Sequence, residues 1–152
     1  PPSNFVEDTD MPTTITGTDG VSQVQADVIV GTVSESGGVP TGAIIERGSN
    51  ANGEFVKYAD GTLICFGSAQ KDLTILNTFF GGRRSGGGAF QFSWPSAFIT
   101  NPIVTVVPDN VTCFSALDRQ SSSTTADFYV TAVESQSSST RVVEFHAIGR
   151  WY

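Results

Sequence analysis

Arg83 and Arg84 stand side by side in the stretch GGRRSGGG, and adjacent guanidinium groups can grip a carboxylate or a phosphate through paired hydrogen bonds. Such a loop can equally stay solvated, or turn its arginines onto acidic groups of a neighbouring surface. Two serine-rich stretches, DRQSSSTT at 118–125 and ESQSSST at 134–140, hold Arg119, Gln120, Ser122, Gln136 and Ser138. Loops at strand ends commonly carry recognition, and short hydroxyl and amide groups suit hydrogen bonding to polyhydroxylated ligands. The same residue types populate turns because their side chains bond the local backbone, which needs no ligand. Among the aromatic residues, Trp94, Trp151 and Tyr152 combine apolar area with a polar handle fit for stacking on a ring. Trp94 and Trp151 continue inward registers and belong to a core or an interface, which leaves Tyr152 as the aromatic candidate.

Other chemistries find little support. His146 is the single histidine and Cys65 and Cys113 are the only cysteines; neither C-x-x-C nor EF-hand spacing occurs, so no metal and no cofactor is expected. The cysteines read as reduced core thiols in preference to a disulfide. There is no G-x-S-x-G elbow, no phosphate-cradling glycine turn before a helix and no second histidine for a relay, so no catalytic residues are assigned and no enzyme is expected. Two carboxylates brought together in space could still make a glycosidase pair, a reading that suits much longer chains.

The elements that must position these residues follow from composition. The 152 residues include sixteen glycines and seven prolines, a balance that disfavours long helices and favours short strands joined by turns. Charge divides the chain. Residues 1–46 carry seven acids and neither Lys nor Arg, residues 47–152 carry eight acids and eight bases, and the net charge is −7. The acidic part argues against nucleic acid and against an anionic membrane surface. No apolar run approaches spanning length, so no membrane insertion is expected. The chain opens on Pro rather than Met, which fits processing or truncation.

Residues 1–41 read as an extended, acidic attachment arm and residues 42–152 as the folded domain. Within the arm, Val24, Ala26, Val28 and Val30 alternate and predict one strand, with Gly37-Gly38 and Pro40 breaking regular structure. An arm this poor in core residues is expected to lie extended or to pack on other chains. In the domain, Asn52-Gly53 ends the connector and Asp60-Gly61 folds Phe55 to Tyr58 back onto Thr62 to Gly67, both dipeptides suiting two-residue type I′ turns. Leu73, Ile75 and Phe79 alternate before glycines 81, 82, 86, 87 and 88, which mark a mobile loop. Phe90, Phe92 and Trp94 form an aromatic stripe opposite Gln91 and Ser93. Strands over 103–107 and 111–117 flank a Pro108-Asp109-Asn110 turn. A strand over 127–133 follows, and the last runs from Arg141 to about Trp151 with Val143, Phe145, Ala147, Gly149 and Trp151 in one register. The sum is an all-β, antiparallel β-sandwich of six or more strands.

The stretches ANGEFVKYADGTLICFG, FSWPSAFITNPIVTVVP, ADFYVTAVES and VVEFHAIGRWY occur in that order. Together they resemble the C-terminal, receptor-binding domains of bacteriophage tail fibres, with the closing FHAIGRWY as the most specific element. The order is also similar to H-type lectins. The resemblance covers about residues 42–152 and has no counterpart for the arm. It implies an H-type lectin-like sandwich in a homotrimer at the tip of a viral tail, assembled in the host cytoplasm. Such a tip recognises a host surface component, often a glycan, and residues 1–41 would attach it to tail or baseplate proteins. On that reading Arg83, Arg84, Arg119, Gln120, Ser122, Gln136, Ser138 and Tyr152 are the candidate ligand contacts. A structural virion protein without receptor binding and a free lectin are the alternatives.

Overall fold

The computed structural model describes residues 14–16, 22–24, 29–80, 83–86, 90–108, 115–118, 120–132 and 136–152; at 14–16, 22–24, 75–80, 83–86, 115–118 and 136 it describes the backbone alone. Within them the chain forms strands β1 (Thr14–Thr16), β2 (Ser22–Val24), β3 (Val33–Ser36), β4 (Val39–Gly42), β5 (Ile45–Asn50), β6 (Gly53–Tyr58) and β7 (Thr62–Phe80). They continue with β8 (Arg83–Gly86), β9 (Phe90–Ser93), β10 (Ile103–Pro108), β11 (Ser115–Asp118), β12 (Thr125–Ala132) and β13 (Gln136–Arg150). The ladders between these strands are all antiparallel.

Nine strands share one sheet, in the order β10-β13-β7-β8-β12-β11, with the β5-β6 hairpin on β7 and β9 on β12. The sheet folds over so that β9 and β12 face β7 and β13. Phe92 and Phe128 lie 5.1 and 5.9 Å from Phe145 of β13 across that gap, and Trp94 caps the group at 5.8 Å. The alternation expected of these segments holds. Phe90 and Trp94 are buried and Phe92 half-buried, while Val143, Phe145 and Ala147 point in and Glu144 and His146 point out. Cys65 belongs to this core as a free thiol donating to the Ser96 carbonyl, and burial pushes its pKa up to about 11; Cys113 lies outside the described residues.

Both dipeptides of the opening hairpins turn the chain, but not as two-residue type I′ turns centred on themselves. Asn50 pairs with Gly53, which leaves Ala51 and Asn52 as the connection and Gly53, at φ +130°, on its far corner. This turn joins β5 to β6, so it lies inside the sheet and does not end a connector. At the second turn the Gly61 N–H donates to the Tyr58 carbonyl at 3.0 Å and Gly61 has φ +91°, the three-residue connection that closes on a left-handed glycine. A two-residue hairpin turn with both φ values positive occurs instead at Gly37-Gly38, between Ser36 and Val39, in a segment expected to be irregular.

The single strand expected through Val24, Ala26, Val28 and Val30 falls largely on residues 25–28, outside the described set, with Val24 closing β2. Further expectations are corrected by pairing between distant segments. The arm's last part docks on β5: Val30 bridges Ile45, the Gly31 N–H donates to the Ile45 carbonyl, and the Val33 N–H donates to the Glu46 carboxylate. The glycine-rich loop holds β8, stitched to β7 on one side and to β12 on the other; two ladders outweigh glycine's dislike of strands. The last strand begins at Gln136, not Arg141, because Ser139 and Thr140 extend its ladder on Leu73 and Asp72. β7 correspondingly runs for 19 residues without a break.

Candidate functional site

The eight candidate contacts are not gathered at one place. Arg83 and Arg84 sit in β8, and Gln136 opens β13, with their side chains outside the description, as is all of Arg119. Ser138 is exposed on strand β13, not in a turn. Gln120 and Ser122 do lie in a loop, as expected. That loop stands near the opposite end of the molecule, because the Phe98 N–H donates to Ser123 and the Ile99 N–H to Arg150. Ser138 and Arg150 are separated along β13 by up to roughly 40 Å at the usual rise per residue, so one small ligand cannot reach both within a subunit.

Two of the candidates are occupied by the fold. Ser122 accepts through its hydroxyl from the N–H groups of Thr124 and Thr125 at 3.3 and 3.0 Å, and through its carbonyl from Trp94 Nε1 at 2.8 Å. This is the local-turn role open to a serine. Tyr152 is half-buried and donates its hydroxyl to the Ala59 carbonyl at 2.7 Å. Around it the chain's last residues clasp the 58–61 turn. Trp151 Nε1 donates to Tyr58 at 2.9 Å, the Trp151 N–H to Gly61 at 3.0 Å, and Arg150 to the Asp60 carbonyl at 2.8 Å. Trp151 and Tyr152 meet edge to face at 4.4 Å, and Lys57 stands over the Trp151 ring. Asp60 accepts from the Thr62 N–H at 2.8 Å, and hydrogen bonds from Thr62 hold its carboxyl below the ordinary 3.8. A β-carbon on Gly61 would press on the Arg150 guanidinium.

An open cleft of about 430 Å³ lies elsewhere, and sequence reasoning missed it. Its walls are four consecutive residues of β7, Ser68 to Lys71, and three of β9, Phe90 to Phe92, with the Ala51-Asn52 turn at one end and Val142 beside it. Successive side chains leave a strand on opposite faces, so a cleft touching whole consecutive runs follows the strand edges. The ladders agree. On the side of β7 away from β13, pairing with β6 stops at Phe66 and pairing with β8 starts at Ile75, and β9 has β12 as its ladder partner among the described residues.

Strand edges present main-chain donors and acceptors, and the side chains add amides that do both: Asn52, Gln70 and Gln91. Gln91 Nε2 donates to Asp127 at 3.1 Å, and Asp127 is buried. A carboxylate only accepts, so the Gln91 amide is held with its nitrogen toward Asp127 and its oxygen turned away. Phe92 supplies a half-buried ring and Lys71 an exposed ammonium. An apolar ring bordered by oriented donors and acceptors can hold a ligand that has both a flat hydrocarbon face and hydroxyl groups. The signal available in sequence was faint: the polar AQKD at 69–72 interrupts an otherwise apolar strand.

No protein-family model and no curated protein matches the chain. Two solved structures are similar to it in fold. One is an N-truncated R1-type pyocin tail fibre, 17% identical with a TM-score of 0.48 over 70% of this chain and 88% of that one. The other is the tailspike protein gp49 from Pseudomonas phage LKA1, 12% identical with a TM-score of 0.44 over 60% of this chain; the chain spans only 16% of the tailspike's length.

Proposed function

We propose that the chain is a receptor-binding piece of a bacteriophage tail fibre, a non-catalytic adhesin that works as a homotrimer at the virion's tail and recognises a host surface glycan. The observation that carries the glycan reading is the β7–β9 cleft, where Phe92 lies among the oriented Gln91 amide, the Asn52 and Gln70 side chains and two strand edges. The tail-fibre reading rests on the ordered motifs. Two of their most recognisable pieces, the Asp60-Gly61 turn and the closing Gly149 to Tyr152, belong to one hydrogen-bonded clasp. The motifs therefore act as a unit of the fold.

Trimer formation has a surface to use. Ile103 pairs with Ile148, Ile148 with Ile64 and Ile64 with Val56, and paired residues share a face. This row crosses four strands on the outside of the sheet, with Ile103 81% exposed. Residues 1–41 are the attachment arm in this reading and residues 42–152 the recognition domain. Attachment to tail or baseplate proteins falls to the segment before Gly31, since Gly31 and Val33 already bond to β5.

The test is adsorption. The purified chain should run as a trimer by gel filtration with light scattering, bind host cells and block attachment of the virus. A chain that is trimeric yet neither binds cells nor blocks adsorption overturns the adhesin reading. Ile103→Asp with Ile148→Asp should give folded monomers; persistence of the trimer would remove the row from the interface.

A further inference from the structure

We propose that Asn52 is a self-modifying site at the end of the β7–β9 cleft: its carboxamide cyclises onto the Gly53 nitrogen, releases ammonia and reopens with water as a mixture of aspartate and isoaspartate. The reaction stands on the chemistry of the turn. Its effect on recognition rests on the reading of the cleft as a glycan site.

An asparagine side chain is attacked by the main-chain nitrogen of the next residue, and glycine obstructs the approach least because it has no β-carbon. Here the fold cannot exchange that glycine for a slower neighbour. Gly53 has φ +130°, and a β-carbon on it would lie 2.7 Å from the Phe66 carbonyl oxygen. Its nitrogen belongs to the Asn50–Gly53 pair at the end of the β5–β6 ladder, where opening is easiest. The asparagine side chain is not held back either. The Asn52 main-chain N–H donates to Asn50 Oδ1 at 2.9 Å, while its carboxamide makes no hydrogen bond among the described residues and borders the open cleft. Two neighbours of similar type are engaged. Asn50 donates to the Pro95 carbonyl at 2.9 Å, accepts from the Asn52 N–H and precedes Ala51. In Asp60-Gly61 the carboxyl accepts from the Thr62 N–H at 2.8 Å, and a carboxylate is a poorer electrophile than an amide.

In the first step the Gly53 N–H gives its proton to solvent, its nitrogen bonds to Asn52 Cγ, and the side-chain nitrogen leaves as ammonia, which closes a succinimide ring. Water then opens the ring at either carbonyl. Opening at the side-chain carbonyl restores the main chain as aspartate. Opening at the main-chain carbonyl leaves isoaspartate, with an extra methylene in the chain, and the Ala51-Asn52 connection that closes the Asn50–Gly53 pair must then span it. Either product replaces a group that donates and accepts with a carboxylate that only accepts. A glycan oxygen that takes a hydrogen bond from Asn52 loses it, and the end of the cleft gains a negative charge.

The experiment incubates the full chain in mildly alkaline buffer and maps it by peptide mass spectrometry, with isoaspartate counted by enzymatic methylation of its free α-carboxylate. A synthetic peptide of residues 48–56 serves as the clock. Asn52 should convert faster than Asn4, Asn50, Asn77, Asn101 and Asn110, with isoaspartate among the products, and Asn52→Gln should abolish that conversion while melting as the parent does. Conversion at Asn52 no faster than at Asn50, aspartate without isoaspartate, or an intact Asn52 in the folded chain while the peptide converts, overturns the proposal. Asn52→Asp copies one product and should weaken binding to host cells about three- to tenfold, the worth of one hydrogen-bond donor; unchanged binding overturns the effect on recognition. If the unmodified trimer itself neither binds cells nor blocks adsorption, the adhesin reading falls, and the mass map still decides the reaction.

Discussion

The clasp at the 58–61 turn and the β7–β9 cleft are built from similar chemistry and put it to opposite use. In the clasp an arginine, a tryptophan and a tyrosine spend their polar atoms on the carbonyls of Tyr58, Ala59 and Asp60. In the cleft a lysine, amides and a phenylalanine line open space. Residue type therefore does not mark a recognition surface; what differs is the shape around it, since the clasp's groups close on a turn and the cleft's border a recess. An aromatic with a polar handle near a chain end invites a stacking role, yet Tyr152 is held by its own hydroxyl.

The sharpest way to break the comparison is at Gly61. Gly61→Val forces a branched residue to φ +91° and pushes on Arg150, and it should cost about 2–3 kcal/mol in chemical denaturation without altering ligand affinity of the folded fraction. If affinity falls in step with stability, the two regions are not separate. Tyr152→Phe removes one half-buried hydrogen bond, with an expected cost of about 1 kcal/mol, and should leave cell binding intact. A binding loss larger than the stability loss would return Tyr152 to the ligand site. In the cleft the balance reverses, so Gln70→Ala should change stability by no more than about 0.5 kcal/mol, and its effect should appear in binding alone.

The smallest effect concerns pH. The folded state lowers the Asp60 pKa below 3.8, so its contribution is present above that value and is lost as pH falls through it. Asp60→Asn should flatten that acid limb in melting curves recorded between about pH 2 and 5 and leave the neutral region nearly unchanged. An identical limb in the variant would show that the Thr62 hydrogen bonds do not set it.

Much of the fold was legible in the sequence because it is written in local alternation. Phe90, Phe92 and Trp94, and Val143, Phe145 and Ala147, declare their faces within a few residues, and the glycine turns fall at the ends of strands. The clasp was half legible, since Trp151 was placed inward while Tyr152 was left free. What escaped depends on partners far away in the chain. β8 exists because β7 and β12 flank it, against the preference of its one glycine, Gly86. The start of β13 at Gln136 follows from the reach of β7. The cleft escaped for a different reason: among the described residues, β7 has a ladder partner before and after, but not beside, residues 68–71. A missing neighbour has no residue pattern of its own. Arg83, Arg84 and the serine stretches drew notice because composition makes loops conspicuous, whereas Gln70, Lys71 and Gln91 sit within strands.

The long pairing of β7 with β13 bears on mechanics. Its thirteen registered pairs lie side by side, so tension drawn along the strand axis would strain the whole ladder in shear, and rupture requires many hydrogen bonds to yield together. Tension across the strands would open them one at a time. Under load, the lifetime of the native state is set by its unfolding rate. A cleft walled by the middle of β7 therefore sits on the stretch best able to carry a pull directed along that strand.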